Sequence, residues 1–172
     1  MPRDAQGFDR AVALPPGLTI GHIRKAIEYV ERQAEAFADL YYEQANIFSG
    51  LVGILGVRAL HALESKGSTR PWAVQSHYDH PGWYIVWRYA VDPTKQMKPG
   101  RVVLVWRVDV PFIRKGDWKY EGSRAGEGRG GRTHTFGIKN PAKLLAGAIV
   151  YQAPGIAVHG GKPIAANGNG HG

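Results

Sequence analysis

The chain has 172 residues, a formal net charge of +8, 44% hydrophobic residues and 21% charged residues, which is typical of a globular domain able to bury its own core. It contains no cysteine, which excludes disulfides, thiolate metal sites and cysteine nucleophiles. Residues 1–64 carry six Arg and Lys against eight Asp and Glu, whereas residues 65–172 carry sixteen against six. This asymmetry indicates a polyanionic partner for the second part of the chain.

The two ends of the chain differ in composition from its middle. Residues 1–17 are polar, close on Pro15-Pro16-Gly17 and predict an N-terminal arm. They lack the apolar run of a secretory signal, so a cytoplasmic location is expected. A single globular domain is predicted over residues 18–158, and the glycine-rich tail 159–172 is expected to be disordered.

Two helices are predicted in the N-terminal part. Thr19 is a suitable N-cap, and the apolar residues after it recur three and four positions apart, which predicts an amphipathic helix. This helix packs either inside the domain or, as the alternative, in a homodimer through the 20–45 helix. Residues 47–64 are apolar on nearly all sides and predict a buried helix, because the uncharged run 45–57 is too short to span a membrane.

Strand signals dominate the second part. Residues 72–77, 83–91, 101–110 and 133–138 are rich in aromatic and β-branched residues, and the two middle segments show a period of two. This alternation places Arg107 and Asp109 on the outward side of their strand. A short helix is expected from Asn140-Pro141 to about Val150. The predicted fold class is α+β, with two N-terminal helices packed on a mainly antiparallel three- to four-stranded sheet, followed by a short C-terminal helix.

A basic, glycine-rich stretch lies between residues 112 and 143, with five glycines from Gly122 to Gly131. Glycine allows a backbone to approach phosphates closely, and arginine binds them through paired N–H groups. Trp118 and Tyr120 could stack on bases or anchor the stretch to the core. The stretch predicts a nucleic-acid-binding protein, with DNA favoured over RNA; the alternative is a solvated hairpin loop. The predicted nucleic-acid-binding residues are Arg114, Lys115, Arg124, Arg129, Arg132 and Lys139.

Carboxylates near this stretch suggest a catalytic site. Asp109 ends a strong strand, and Asp117-Trp118-Lys119 follows after seven residues. This pattern resembles the core of the PD-(D/E)xK restriction-endonuclease-like nucleases, over roughly residues 47–150. The resemblance implies a Mg²⁺-dependent nuclease in which Asp109 and Asp117 hold the metal and Lys119 lies near the scissile phosphate.

Two further functions are compatible with the sequence. His134 lies on a basic strand, where it could act with Lys119, Arg124 and Arg132 in a metal-independent ribonuclease of the small toxin type. Alternatively, the chain is a non-catalytic subunit of a larger assembly. Phosphate-binding loops, dinucleotide fingerprints, metalloprotease helices and serine-hydrolase elbows are all absent from the sequence.

Overall fold

The structure is a computed structural model that describes residues 3–60, 64–70, 72–93, 102–125, 132–159 and 162–165. These residues form an α+β architecture, in which a helical layer packs on a central sheet and a smaller sheet covers its other face. The described helices are α1 (Ile20–Glu35), α2 (Asp39–Glu43), α3 (Ala45–Leu60) and α4 (Pro141–Ala146), and the strands are β1 (Glu64–Ser68), β2 (Gln75–Ser76), β3 (Gly82–Val91), β4 (Val103–Asp109), β5 (Phe112–Ile113), β6 (Trp118–Ala125), β7 (Arg132–Ile138), β8 (Ile149–Gln152), β9 (Ile156–His159) and β10 (Lys162–Ala165).

Helix α1 begins where the sequence predicts and ends earlier. The Thr19 hydroxyl accepts a hydrogen bond from His22 N at 3.2 Å and caps the helix. The chain turns after Glu35. The predicted apolar stripe would bury Phe37, but Phe37 is exposed and Ala38 is buried, so the helical spacing of buried residues ends with α1. The apolar stripe of α1 packs on α3 and β4. Ile23, Ile27 and Val30, which belong to the stripe of the alternative homodimer through the 20–45 helix, are therefore buried within the chain.

Helix α3 packs one side tightly against β1 and β3. A Cβ on Gly56 would overlap Trp87 Nε1, and one on Gly53 would lie 3.1 Å from Ser65 O, so glycine allows the close approach. Trp87 Nε1 also donates to Ser65 Oγ at 2.8 Å, which fixes the indole against the helix. Among the described residues, no helix is long and apolar enough to cross a membrane.

The central sheet has the order β1-β3-β4-β8, with β5 also paired to β3. Strand β1 runs parallel to β3, and the other pairs are antiparallel, so the sheet is mixed rather than wholly antiparallel. The alternation predicted for β3 is present, but both faces are buried. Ile85 and Trp87 face the helical layer, whereas Tyr84 and Val86 face a second core beside Ile113. Residues that the alternation predicted to face outward, such as Arg107 and Asp109, are consequently buried.

The second sheet has the order β2-β7-β6 and covers that second core. Strands β6 and β7 pair antiparallel, with a bulge between Tyr120 and Gly122, so the described parts of the basic stretch include a β-hairpin. The polar residues of 118–121, which resemble a loop in sequence, are its first strand. The strand predicted over 72–77 is reduced to β2.

Both termini contribute to the described structure. In the predicted arm, Phe8 is buried and forms a β-bridge with Tyr151. Helix α4 ends at Ala146 instead of continuing to about Val150, because the following residues pair with β4 as β8. Strands β9 and β10 form a hairpin, so residues 162–165 of the predicted disordered tail are in a strand.

Candidate nucleic-acid interface

Three basic residues surround the base of the β6–β7 hairpin. A single 3-10 turn (Lys115–Asp117) leads into β6, and the Asp117 carboxylate accepts from Arg114 N at 2.8 Å. Lys139 Nζ donates to Gly116 O at 2.9 Å across the same turn. Arg114, Lys115 and Lys139 are exposed, and none forms an ion pair with a carboxylate in the described ranges. The turn therefore presents three positive charges to solvent.

The two aromatic residues that begin β6 have different environments. Trp118 is buried, and its indole Nε1 donates to His80 O at 3.1 Å, so it anchors the hairpin to the core. Tyr120 is 56% exposed, its ring lies 5.4 Å from that of Phe136, and its hydroxyl lies 3.1 Å from His134 Nδ1. Of the two candidate stacking residues, Tyr120 alone has an open ring.

A polar cleft lies on the other side of this sheet. Lys119 and Glu121 alternate with Tyr120 along β6, and Lys119 Nζ lies 3.2 Å from Glu121 Oε1. Gln75 Nε2 donates to Glu121 Oε2 at 3.3 Å. The cleft has a volume of about 780 Å³ and also contains Lys66 and Arg70, which sequence reasoning did not select. The two residues lie more than 40 positions before the hairpin, and only the fold brings them near it.

His134, the proposed catalytic histidine, lies on the opposite side of the hairpin from Lys119. His77 Nδ1 lies 3.1 Å from the backbone oxygen of His134, so the two histidine segments are adjacent. The His134 ring contacts Tyr120, whereas Lys119 pairs with Glu121, which lines the cleft. The ribonuclease hypothesis requires Lys119 beside His134, and the described residues do not place them together.

At the distal end of the hairpin, the strand register brings two predicted phosphate-binding residues to the same place. Arg124 pairs with Thr133, and Ala125 pairs with Arg132, so both arginines lie at the end that is far from the 3-10 turn. Arg129, also predicted to bind nucleic acid, lies outside the described residues.

Asp109 lies in a buried ionic network on the central sheet. Its side chain is 0% exposed, and its two oxygens accept from Arg88 Nε at 2.9 Å and from Arg107 Nε and Nη2 at 2.7 and 2.9 Å. Arg88 Nη1 also donates to the backbone oxygens of Arg70 and Ala73. Burial lowers the pKa of Arg88, and the Asp109 charge opposes this shift. The carboxylate is therefore held in place as the counter-ion of two buried arginines.

This geometry does not support Asp109 as a metal ligand. A catalytic ligand must face both metal and substrate, whereas the oxygens of Asp109 face guanidinium groups inside the protein. Asp117 stabilises the turn before β6. In the part of the chain that the structure describes, no group of three or more His, Asp or Glu side chains could hold a metal ion. The sequence could have predicted this ion pair, because Arg107 is two positions before Asp109 and therefore lies on the same face of the strand.

No protein family, curated protein or solved structure matches this chain. The resemblance to PD-(D/E)xK nucleases therefore stays a prediction, as does the Mg²⁺ requirement that it implies.

Proposed function

We propose that the protein binds nucleic acid along the β6–β7 hairpin. The observation that carries the proposal is the position of the exposed Tyr120 ring, which lies between three exposed cations at the base of the hairpin and the end that bears Arg124 and Arg132. Cations that bind phosphates and an aromatic ring that stacks on a base are the two components of a surface that binds single strands.

The dimensions of the hairpin suit such a ligand. Strand β6 has eight residues, which corresponds to about 25 Å at roughly 3.3 Å per residue. A surface of this length contacts several consecutive phosphates. The base cations are free of ion pairs with described carboxylates, so binding does not require an existing salt bridge to break. Neither feature reads base identity, so we expect weak sequence preference.

The first test is fluorescence anisotropy with labelled single-stranded DNA, duplex DNA and RNA across a salt series. Each phosphate contact contributes about 0.7 to 0.9 to the slope of log affinity against log salt. We expect a slope steeper than about −2, which corresponds to contacts by the three base cations. A flat salt response, or no binding of any of the three ligands at low salt, would overturn the proposal.

Charge-neutralising variants locate the surface. Arg114→Gln with Lys115→Gln is expected to reduce the magnitude of the slope by about 1.4 to 1.8, because two phosphate contacts are lost. Lys25→Gln with Arg32→Gln is the matched control, since both residues are exposed cations on α1. An equal reduction by both pairs would show that binding follows net charge and not this hairpin.

The stacking component is tested separately. Tyr120→Leu should weaken binding of single strands by about 1–3 kcal/mol while the salt slope stays unchanged, because it removes a stacking ring and no charge. Tyr42→Leu is the control, since Tyr42 on α2 is 54% exposed and so closely matched. Cleavage of the RNA ligand in EDTA, abolished by His134→Asn, would instead establish the ribonuclease alternative.

A further inference from the structure

The outer face of α3 is apolar and exposed. Ile47, Ile54 and Val57 are 52%, 66% and 43% exposed. Gly50 is also exposed, and a Cβ at this position would meet nothing within 4 Å. Because these four residues are spaced three, four and three positions apart, they form one continuous line along the helix, which we call the α3 stripe.

Exposed apolar side chains are concentrated in this helical layer. Among the described residues, five of the nine large exposed ones lie between residues 37 and 57, including three of the α3 stripe. A groove of about 480 Å³ runs beside the stripe and is lined by Gly50, Gly53 and Ile54. A clustered apolar surface with an adjacent groove is typical of a protein contact.

We propose that the α3 stripe binds the α3 stripe of a second copy of this chain in antiparallel orientation. The stripe is symmetric about Val52, with Gly50 and Ile54 two positions from it and Ile47 and Val57 five positions from it. A two-fold axis through the stripe, at the level of the buried Val52 along the helix, therefore places each Ile54 opposite Gly50 of the second copy. It also places each Ile47 opposite Val57 of the second copy. A large side chain faces a gap at both central positions, as close helix packing requires.

The charges at the two ends of α3 favour the antiparallel orientation. Residues 45–57 carry no charge, whereas Glu43 lies just before the helix and Arg58 lies in its last turn. Antiparallel packing brings Arg58 of each copy towards Glu43 of the other, while parallel packing brings like charges together. Antiparallel helix dipoles add to this preference. The inference is independent of nucleic-acid binding.

Molar mass in solution tests the contact. Light scattering across a dilution series should give the mass of a dimer that dissociates on dilution. Ile54→Arg should give a monomer, because it places two charges in the apolar centre of the contact. Tyr78→Arg is the control, since this side chain is 63% exposed and lies outside the helical layer. A monomeric wild-type chain, or dissociation by both variants, would overturn the proposal.

Disulfide cross-linking tests the orientation, because the natural chain has no cysteine. An equimolar mixture of Ile47→Cys and Val57→Cys chains should form an intermolecular disulfide. Each variant alone should not, since ten helical residues separate equivalent positions by about 15 Å and a disulfide needs Cα atoms within about 7 Å. Cross-linking of each variant with itself would indicate parallel packing, and failure of the mixture would exclude this contact; either result overturns the proposal.

Discussion

The central sheet and the β6–β7 hairpin use the same charged residue types in opposite environments. On the central sheet, Arg88, Arg107 and Asp109 are buried, and both arginines bind Asp109. On the hairpin, Arg114 and Lys115 are exposed and free of ion pairs with described carboxylates. Burial makes the first group part of the fold, because an unpaired charge inside a protein is costly. Exposure leaves the second group available for a polyanion.

The largest expected effect comes from removal of the buried carboxylate charge. Asp109→Asn should lower the free energy of unfolding by about 3–5 kcal/mol, because two buried guanidinium groups lose their counter-ion. Asp117→Asn should cost less than about 1 kcal/mol, since the amide oxygen can still accept from Arg114 N. Urea denaturation measures both. A stable Asp109→Asn protein that loses a Mg²⁺-dependent cleavage activity would favour the nuclease hypothesis and contradict the structural role.

Glycine-to-alanine substitutions compare how tightly the central sheet and the β6–β7 hairpin are packed. Gly56→Ala should destabilise the fold by about 1–3 kcal/mol, because its Cβ meets the buried and hydrogen-bonded Trp87 indole. Gly137→Ala on β7 should change stability by less than about 1 kcal/mol. The atoms that its Cβ meets are the carboxyl end of the exposed Glu121 side chain, which can rotate away. Thermal unfolding compares the two, and equal losses would show that the hairpin is packed as rigidly as the core.

A smaller effect is expected at the ion pair of the hairpin. Lys119→Gln removes the 3.2 Å ion pair between Lys119 and Glu121. The side chain of Lys119 is 52% exposed and that of Glu121 is 31% exposed. Exposed pairs contribute about 0–1 kcal/mol, so the loss should fall in that range and shrink further in high salt. A loss as large as that of Asp109→Asn would mean that exposure does not separate the two regions.

A smaller effect is a pH dependence of stability where α1 packs on β4. Burial raises the pKa of Glu31 above its ordinary value of 4.5, although Val105 N donates to the carboxylate. The folded chain thus binds this proton more tightly than the unfolded chain. The resulting stability is present below pH 4.5 and is lost as pH rises through the raised pKa. Glu31→Gln should remove this decline, as measured by unfolding free energy against pH.

Asp4, in the N-terminal arm, has a pKa shifted in the opposite direction. The hydrogen bond from Phe8 N lowers the pKa of Asp4 from its ordinary value of 3.8. Its contribution to stability is present above pH 3.8 and is lost as pH falls through the lowered pKa. Asp4→Asn should therefore alter only the acid side of the profile. A change on the same side as that of Glu31→Gln would contradict the two assignments.

Local sequence patterns predicted α1, α3, α4 and the strands β2, β3, β4 and β7, misplaced several of their boundaries, and did not predict the other strands. Thr19 marked the start of α1, and period-two alternation located β3 and β4 within one or two residues. The end of α1 was missed because the spacing of apolar residues continues past Glu35, while the chain turns to bury Ala38. Strand β6 was missed because its sequence is polar, and pairing with β7 is what makes it a strand.

The candidate site shows the same division. Composition located the basic stretch, in which Trp118 and Tyr120 were noted as possible stacking residues. The two lie on the same side of β6, so their different exposures follow from position along the strand, because the second core includes Trp118 and does not extend over Tyr120. Lys66 and Arg70 reach the cleft only through the packing of β1 and β2 around it.

By itself, the sequence determined the helices, the alternating strands, the excess positive charge and its glycine-rich location, because these depend on residue type and short-range spacing. The tertiary structure decided which of the charged residues are exposed. Asp109 and Lys119 both lie on strands, but Asp109 is buried and two arginines neutralise it. One of them, Arg88, also binds backbone oxygens of residues 70 and 73. Burial depends on what packs above a strand, and that neighbour comes from distant parts of the chain.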